Sequence, residues 1–172
     1  VMPPSIIPRS NGQSDVKARS GNKVLIDQSK KEAFNAISGL RGLVKKLRSE
    51  WTIEANGDEI SDGTFIGVRL FIIPAPRAKF NTNEMDALRK FLVEGGSVLI
   101  MMTEGGETEA ETNINFFLEE YGIMANNDCV IRTLFYKYFD PKEALISNGI
   151  LNRTFVSAAG KTPSSDQNAT AT

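Results

Sequence analysis

Four short apolar runs, "KVLID" (23–27), "WTIEA" (51–55), "IGVRLFIIPAP" (66–76) and "SVLIMM" (97–102), are separated by stretches with helical spacing or turn signals. A run as apolar as 97–102 is expected of a strand covered on both faces, which is the condition of strands in parallel sheets. Strands that alternate with helical segments imply right-handed crossovers and helices packed against the sheet. The expected class is therefore α/β, with a mostly parallel sheet flanked by helices.

The intervening segments support this reading. After the first strand, Ile37, Leu40, Val44 and Leu47 recur at 3.6-residue spacing and predict a helix that ends in the basic stretch Lys45-Lys46-Leu47-Arg48. Asn56-Gly57-Asp58 marks a turn, and the prolines at 74 and 76 close the third strand. Asn81, Thr82 or Asn83 can cap the next helix, with Met85, Leu88 and Leu92 as its buried stripe, Phe91 beside it and Gly95 just past its end. Ile114, Phe117, Leu118 and Tyr121 predict another helical face, closed by Gly122. A short strand "GIMA" (122–125) and a β-rich run from Cys129 to Phe139 follow; Pro141 then interrupts, and 142–155 reads as a helical turn with an extended segment. The expected order is β-α-β-β-α-β-α-β.

At both ends periodicity disappears. Residues 1–22 are rich in Pro, Ser, Gly and charge and read as a flexible leader, and 160–172 as a linker toward a further region. The folded domain is expected over 23–159.

Of the 172 residues, 41% are apolar and 24% charged, and no run reaches the roughly 18–20 apolar residues of a membrane span. A net charge of −1 supplies no global basic field for nucleic acid. Charge is uneven: residues 1–50 carry ten basic and four acidic side chains, and residues 101–172 five basic and ten acidic. Such asymmetry can orient a protein partner, although an unevenly charged solvated surface is the simpler account. One cysteine, Cys129, permits no internal disulfide, and with no signal-peptide pattern at the start a reducing compartment is expected.

The chain contains no histidine. Ser-His, Cys-His and His-containing zinc chemistry are thereby excluded within it. Open α/β sheets bind ligands beyond the carboxyl ends of their strands, which here means 27–31, 74–80 and the loop after Met102. That loop reads Thr103-Glu104-Gly105-Gly106-Glu107, where a nucleophile elbow would carry Ser or Cys between glycines. Thr103 has no evident activating base, and Cys129, a lone cysteine in a β-rich run, is expected to be core. The loop also lacks the lysine of a phosphate-binding loop. Glu104, Glu107, Glu109 and Glu111 lack the spacing of a calcium loop, and nothing fixes the separation a pair of glycosidase carboxylates would need. The simplest account gives Gly105 and Gly106 unusual backbone angles and places the glutamates around the next helix's N-terminus.

The segments "KKLRSEWTIE", "DEISDGTFIGVRLFIIPAPRAKF", "EGGSVLIMMTEGGETEAETNINFFLEEYGIMANNDCVIR" and "YFDPKEALISNGILNR" resemble the N-terminal domain of the intraflagellar transport protein 52 family, whose members are subunits of intraflagellar transport complex B. The resemblance covers about 23–159 and is most specific in the succession EGGE, NFFLEEYGI, YF-PKEAL. It implies a Rossmann-like fold similar to class I glutamine amidotransferases, and a longer protein with further binding segments. It implies partners among the other complex B subunits, an indirect link to kinesin and dynein motors, and a place in the cilium or flagellum, at the ciliary base and in the cytoplasm. No cofactor, nucleic acid or membrane insertion is implied, and no catalysis: an amidotransferase needs a Cys nucleophile at the strand-end turn and a His-Glu pair, and this chain has Thr103-Glu104-Gly105 and no His.

Two functions remain open from the sequence. One is a non-enzymatic interaction domain, with Thr103, Glu104, Gly105, Gly106, Glu107, Glu109, Asn113 and Asn115 as contact residues. The other is a small-ligand module that keeps a carbohydrate or nucleotide pocket beneath Thr103 to Glu107. An amide or ester hydrolase is the least supported.

Overall fold

A computed structural model describes residues 21–133 and 140–143. Four strands, β1 (Lys23–Asp27), β2 (Thr52–Asn56), β3 (Val68–Pro74) and β4 (Ser97–Met101), form one sheet in the order β2-β1-β3-β4, and every pairing is parallel. The helices are α1 (Arg41–Leu47), α2 (Thr82–Val93), α3 (Gly106–Ala110) and α4 (Asn115–Leu118), with single 3-10 turns at Asp62–Phe65 and Glu119–Tyr121. The α/β class with a parallel sheet flanked by helices is what the chain adopts.

Side-chain alternation along β1 divides the core. Val24 and Ile26 point to one face with Ile72, Leu40 and Val44, whereas Leu25 points to the other with Phe71, Ile73, Met85, Leu88 and Phe91. Helix α1 therefore covers one face and α2 the other. On the α2 face Phe65 stacks on Phe91 at 4.4 Å and meets Phe71 edge-on at 5.2 Å, geometries that favour aromatic pairs beyond simple burial.

Helix α2 shows why its sequence was readable. Asn81 is the N-cap: its side chain accepts from Glu84 N at 2.9 Å, and the Glu84 carboxylate accepts from Asn81 N at 2.9 Å. At the other end Gly95 adopts φ +86°, and the amides of Gly95 and Gly96 close on Leu92 and Phe91.

Several expectations need correction. The first helix begins at Arg41, not near Ile37, because the Asn35 side chain accepts from Ile37 N at 2.9 Å and Ser38 N at 2.7 Å and Gly39 is left-handed. Those bonds make a turn that leaves Ile37 85% exposed. Strand β4 is not covered on both faces. It is the sheet's last strand among the described residues, and Leu99 is exposed while Val98 and Ile100 pack beneath α2. Residues 122–125 form no strand; Gly122, at φ +73°, ends the preceding turn, and the Asn115 carboxamide holds Ala125 instead. Cys129 is exposed, and 129–133 contains no strand.

The chain divides into two compact units at Asp128/Cys129. In the second, Arg132 N donates to Pro141 O at 2.8 Å and Asp140 Oδ1 accepts from Lys142 N at 2.8 Å. The expected leader, apart from Gly21 and Asn22, the rest of the β-rich run to Phe139, nearly all of the segment 142–155 and the linker at 160–172 lie outside the described residues.

Candidate functional site

The strand order makes the gap between β1 and β3 the point where the winding reverses, since the chain leaves β1 first toward β2 and then returns to its other side. Crevices of open α/β sheets form at such a point, beyond the carboxyl ends of the strands. Backbone bonds between the β1–α1 and β3–α2 loops fix the rim there: Ala33 N to Ala75 O at 2.9 Å, Arg77 N to Lys30 O at 2.8 Å, and Ala75 N onward to Met101 O at 3.0 Å. Lys31 (φ +55°), Ala75 (φ +61°) and Glu111 (φ +53°) all hold left-handed backbone conformations at or beside this rim. Such conformations cost of order 1–3 kcal/mol each in non-glycine residues and persist only where the surroundings enforce them.

A cleft of about 610 Å³ opens at this rim, lined by Lys31, Arg77 and Lys79 on one side and by Glu107, Thr108, Glu111 and Thr112 on the other. Cations from two different loops thus face carboxylates from α3 and the residue after it. Such a wall pair suits a dipolar or mixed-charge occupant better than a simple anion. Among the described residues its lining includes no thiol and no imidazole.

Behind the rim lie two polar clusters. Asp27, fully buried at the end of β1, accepts from Asn56 Nδ2 at 2.9 Å, Ser29 N at 3.3 Å and Ser29 Oγ at 3.1 Å. Beside it Glu32 is pushed up to about 7, first by burial and then by its hydrogen bond to Asp27 and that residue's charge. Glu32 does not line the cleft, and its carboxylate caps the Lys30 amide at 3.0 and 3.1 Å. The second cluster is built on Glu84, also fully buried, which binds Lys30 Nζ at 2.6 Å and accepts from Asn81 N and Ile60 N. Lys30 lies over the Phe80 ring, 5.3 Å from its centroid. Both clusters set the shape of the strand-end loops.

The glycine-rich loop behaves as its composition requires. Gly105 (φ +90°) is the N-cap of α3, Gly106 (φ +60°) begins it, and Glu107 and Glu109 fall in its first turn. Gly106 is buried against the backbone of Asn126, where an added Cβ would lie 2.9 Å from the carbonyl oxygen. Thr103 is half-buried, its carbonyl accepting from Gly106 N at 3.4 Å, while Glu104 and Glu109 are exposed. Of the sequence-selected residues only Glu107 lines the cleft, and it also accepts from Asn115 N. Asn113 grips Phe80 at both N–H (2.7 Å) and C=O (3.0 Å), and Asn115 grips Ala125 in the same two-point manner. Their carboxamides tie loops together.

Sequence reasoning pointed to 27–31 and 74–80 but did not single out Lys31, Arg77, Lys79 or the Asp27–Glu32 pair. An aspartate ending an otherwise apolar strand, as in KVLID, is the signal that marks the second. Among the described residues no group of three or more His, Cys, Asp or Glu is placed to hold a metal ion, and no helix is long and apolar enough to cross a membrane.

Comparison with known proteins gives a consistent result. The family model described as the IFT52 GIFT domain matches residues 23–172. The intraflagellar transport protein 52 homolog of Mus musculus is 52% identical over 138 residues, spanning 80% of this chain and 32% of that protein. The Homo sapiens homolog is 51% identical over 138 residues with the same coverage. A solved structure described as the mmIFT52 N-terminal domain superposes with a TM-score of 0.72 at 52% identity, covering 81% of this chain and 61% of that one. The chain spans about a third of the length of the curated relatives it matches.

Proposed function

The chain belongs to the IFT52 GIFT domain family, and from that premise we propose that it is a non-enzymatic interaction domain of an intraflagellar transport complex B subunit. Its role on this reading is in cilium assembly and ciliary protein transport, in the cilium or flagellum, at the ciliary base and in the cytoplasm. Its partners are other complex B subunits, with kinesin and dynein linked indirectly. The observation that carries the reading is the strand-end turn itself. Where an amidotransferase-like fold would present its nucleophile, Thr103-Glu104-Gly105 leads into a short acidic helix with exposed Glu104 and Glu109.

The proposed contact surface is the acidic rim formed by Thr103, Glu104, Gly105, Gly106, Glu107 and Glu109, together with Asn113 and Asn115, whose carboxamides hold Phe80 and Ala125. The test uses the chain as bait in extract of ciliated cells, beside a Glu104→Ala/Glu107→Gln/Glu109→Ala variant, with bound proteins identified by mass spectrometry. Complex B subunits recovered by the wild type and lost in the variant support the acidic rim as the docking surface. Equal recovery by both would move the surface elsewhere, and recovery by neither would refute an assembly role for this domain.

A second reading, a small-ligand module for a carbohydrate or nucleotide, draws support from the cleft at the point of winding reversal, where Lys31, Arg77 and Lys79 and the hydroxyls of Thr108 and Thr112 offer polar partners beside Glu107 and Glu111. A ligand that binds only the native state raises apparent stability by about 2.7 kcal/mol at a hundredfold excess over Kd. A thermal-shift screen of sugars and nucleotides without any shift would eliminate it.

A further inference from the structure

A second concave surface, sharing no lining residue with the cleft, runs along α1. The groove along α1 is lined by Ala36, Ile37, Arg41, Val44, Lys45 and Arg48, with Val44 buried at its base and Ile37 standing out beside it, and has a volume of about 560 Å³. Ile37 is 85% exposed, and its exposure is built in: the Asn35 turn holds the backbone on either side of it, so the side chain cannot rotate into the core as part of the helix. Burying an isoleucine is favourable, so a fold that fixes one outward beside a groove leaves that gain to another molecule.

The three cations form a single stripe, since positions i, i+4 and i+7 share a helix face. They span about 10 Å along the axis. None of the three has a carboxylate partner among the described residues, whereas Lys23, Lys30, Arg89 and Lys90 each have one. Helix energetics do not account for the stripe. Lys45, in the last turn, suits the negative end of the helix dipole, but Arg41 is the first helical residue, where the dipole opposes a positive charge. Like charges four apart on a helix also repel.

We infer that this groove is a docking site for an acidic amphipathic helix of a partner protein, one that places an apolar stripe on Ile37, Ala36 and Val44 and carboxylates against Arg41, Lys45 and Arg48. The inference rests on the interaction-domain reading and adds a surface distinct from the acidic rim, with opposite charge. Two oppositely charged surfaces let one small domain bridge two partners, and let each reject the other's partner by repulsion.

The test uses a defined probe: a 16-residue amphipathic peptide with a leucine stripe and glutamates at i, i+4 and i+7, and its glutamine counterpart. Each is titrated into the isotope-labelled chain and followed by amide chemical shifts. The expected result is shifts confined to the region from Ala36 to Arg48, and binding at least tenfold weaker for the glutamine peptide. Binding should also weaken at least tenfold in Arg41→Glu/Arg48→Glu and severalfold in Ile37→Ser, with Lys90→Glu unchanged. All four positions are exposed, so the variants should stay folded, with Lys90→Glu losing only its exposed pair with Asp62.

Equal binding of the two peptides, or shifts that map elsewhere, would overturn the inference. So would sedimentation with phosphatidylserine vesicles that depends on Arg41 and Arg48 without peptide binding, which assigns the groove to a membrane surface. Self-association abolished by Ile37→Ser would assign it to a second copy of the chain. The extract experiment separates the two levels: complex B subunits recovered equally by wild type and Arg41→Glu/Arg48→Glu would refute the groove and leave the interaction-domain reading standing.

Discussion

Replacing Glu84 by alanine tests whether the strand-end loops are held by the buried ion pair beneath them. Glu84 is wholly buried and Lys30 has 12% of its side chain exposed, so the substitution strands a cation with little access to water. It also removes the acceptor for two backbone amides, those of Asn81 and Ile60. Removing one partner of a buried pair costs about 3–5 kcal/mol, and orphaning a buried donor about 1–3. Partial solvation of Lys30 and its place over Phe80 pull the total toward the lower end, near 4 kcal/mol, a large fraction of a domain's typical 5–15. With a urea m-value of about 2 kcal/mol/M, the midpoint should fall by roughly 2 M. Glu84→Gln keeps an oxygen for the N-cap and should lose about half as much. Lys30→Met, which leaves the carboxylate buried and unpaired, should couple to Glu84→Gln by at least about 1 kcal/mol in a double-mutant cycle. Hydrogen exchange adds a local readout, because Arg77 N donates to Lys30 O and its protection should drop with the pair. A loss below about 1 kcal/mol for Glu84→Ala, the range of exposed ion pairs, would refute the reasoning.

Three further outcomes are expected. Glu32 is held up to about 7 from an ordinary 4.5, so its contribution to stability is complete below about pH 4.5 and is lost as pH rises through 7. Glu32→Gln should therefore exceed the wild type at pH 8 by roughly 1 kcal/mol, a value reduced for solvent screening at this half-buried group, and match it near pH 4.5 in thermal melts. Gly106→Ala forces a Cβ against the Asn126 carbonyl at φ +60° and should cost about 1–3 kcal/mol, whereas Gly57→Ala, with nothing within 4 Å, should be close to neutral in the same urea series. Arg89→Ala breaks exposed pairs with Asp86 and Glu120 and should cost less than about 1 kcal/mol, with the difference disappearing in 1 M salt.

What the sequence disclosed depended on how local the cause was. Helix α2 was legible because its cap, stripe and terminal glycine all lie within 15 residues and act on one another directly. The strands were legible as apolar runs, but their order was not, so the exposure of Leu99 on β4 could not be anticipated from SVLIMM. The early start expected for α1 failed because periodicity ignores side-chain competition for the backbone, and the side-chain Oδ1 of Asn35 captures two amides the helix would have used. Cys129 is exposed, and the part of its run that is described, 129–133, contains no strand to bury it. At the cleft, the acidic wall was visible in the loop after Met102. The basic wall was not, since Lys31 and the Arg77–Lys79 segment are brought together by the pairing of β1 with β3 and the backbone bonds between the loops that follow them. The roles of Asn113 and Asn115 likewise depend on distant backbone, Phe80 for one and Ala125 for the other.

The central position of β1 has a consequence for how the chain is made. β1 is finished at Asp27, yet its neighbour on one side ends at Asn56 and on the other at Pro74. A ribosome adding about 5–20 residues per second therefore finishes this interior strand roughly 2–10 s before the strand that closes its second edge. For that interval its open edge is a template for any other strand in reach, and parallel pairing over such separations is slow even once both partners exist. Chaperone demand during synthesis should consequently concentrate on the first third of this domain, and a circular permutant that begins at β2 would shorten the wait.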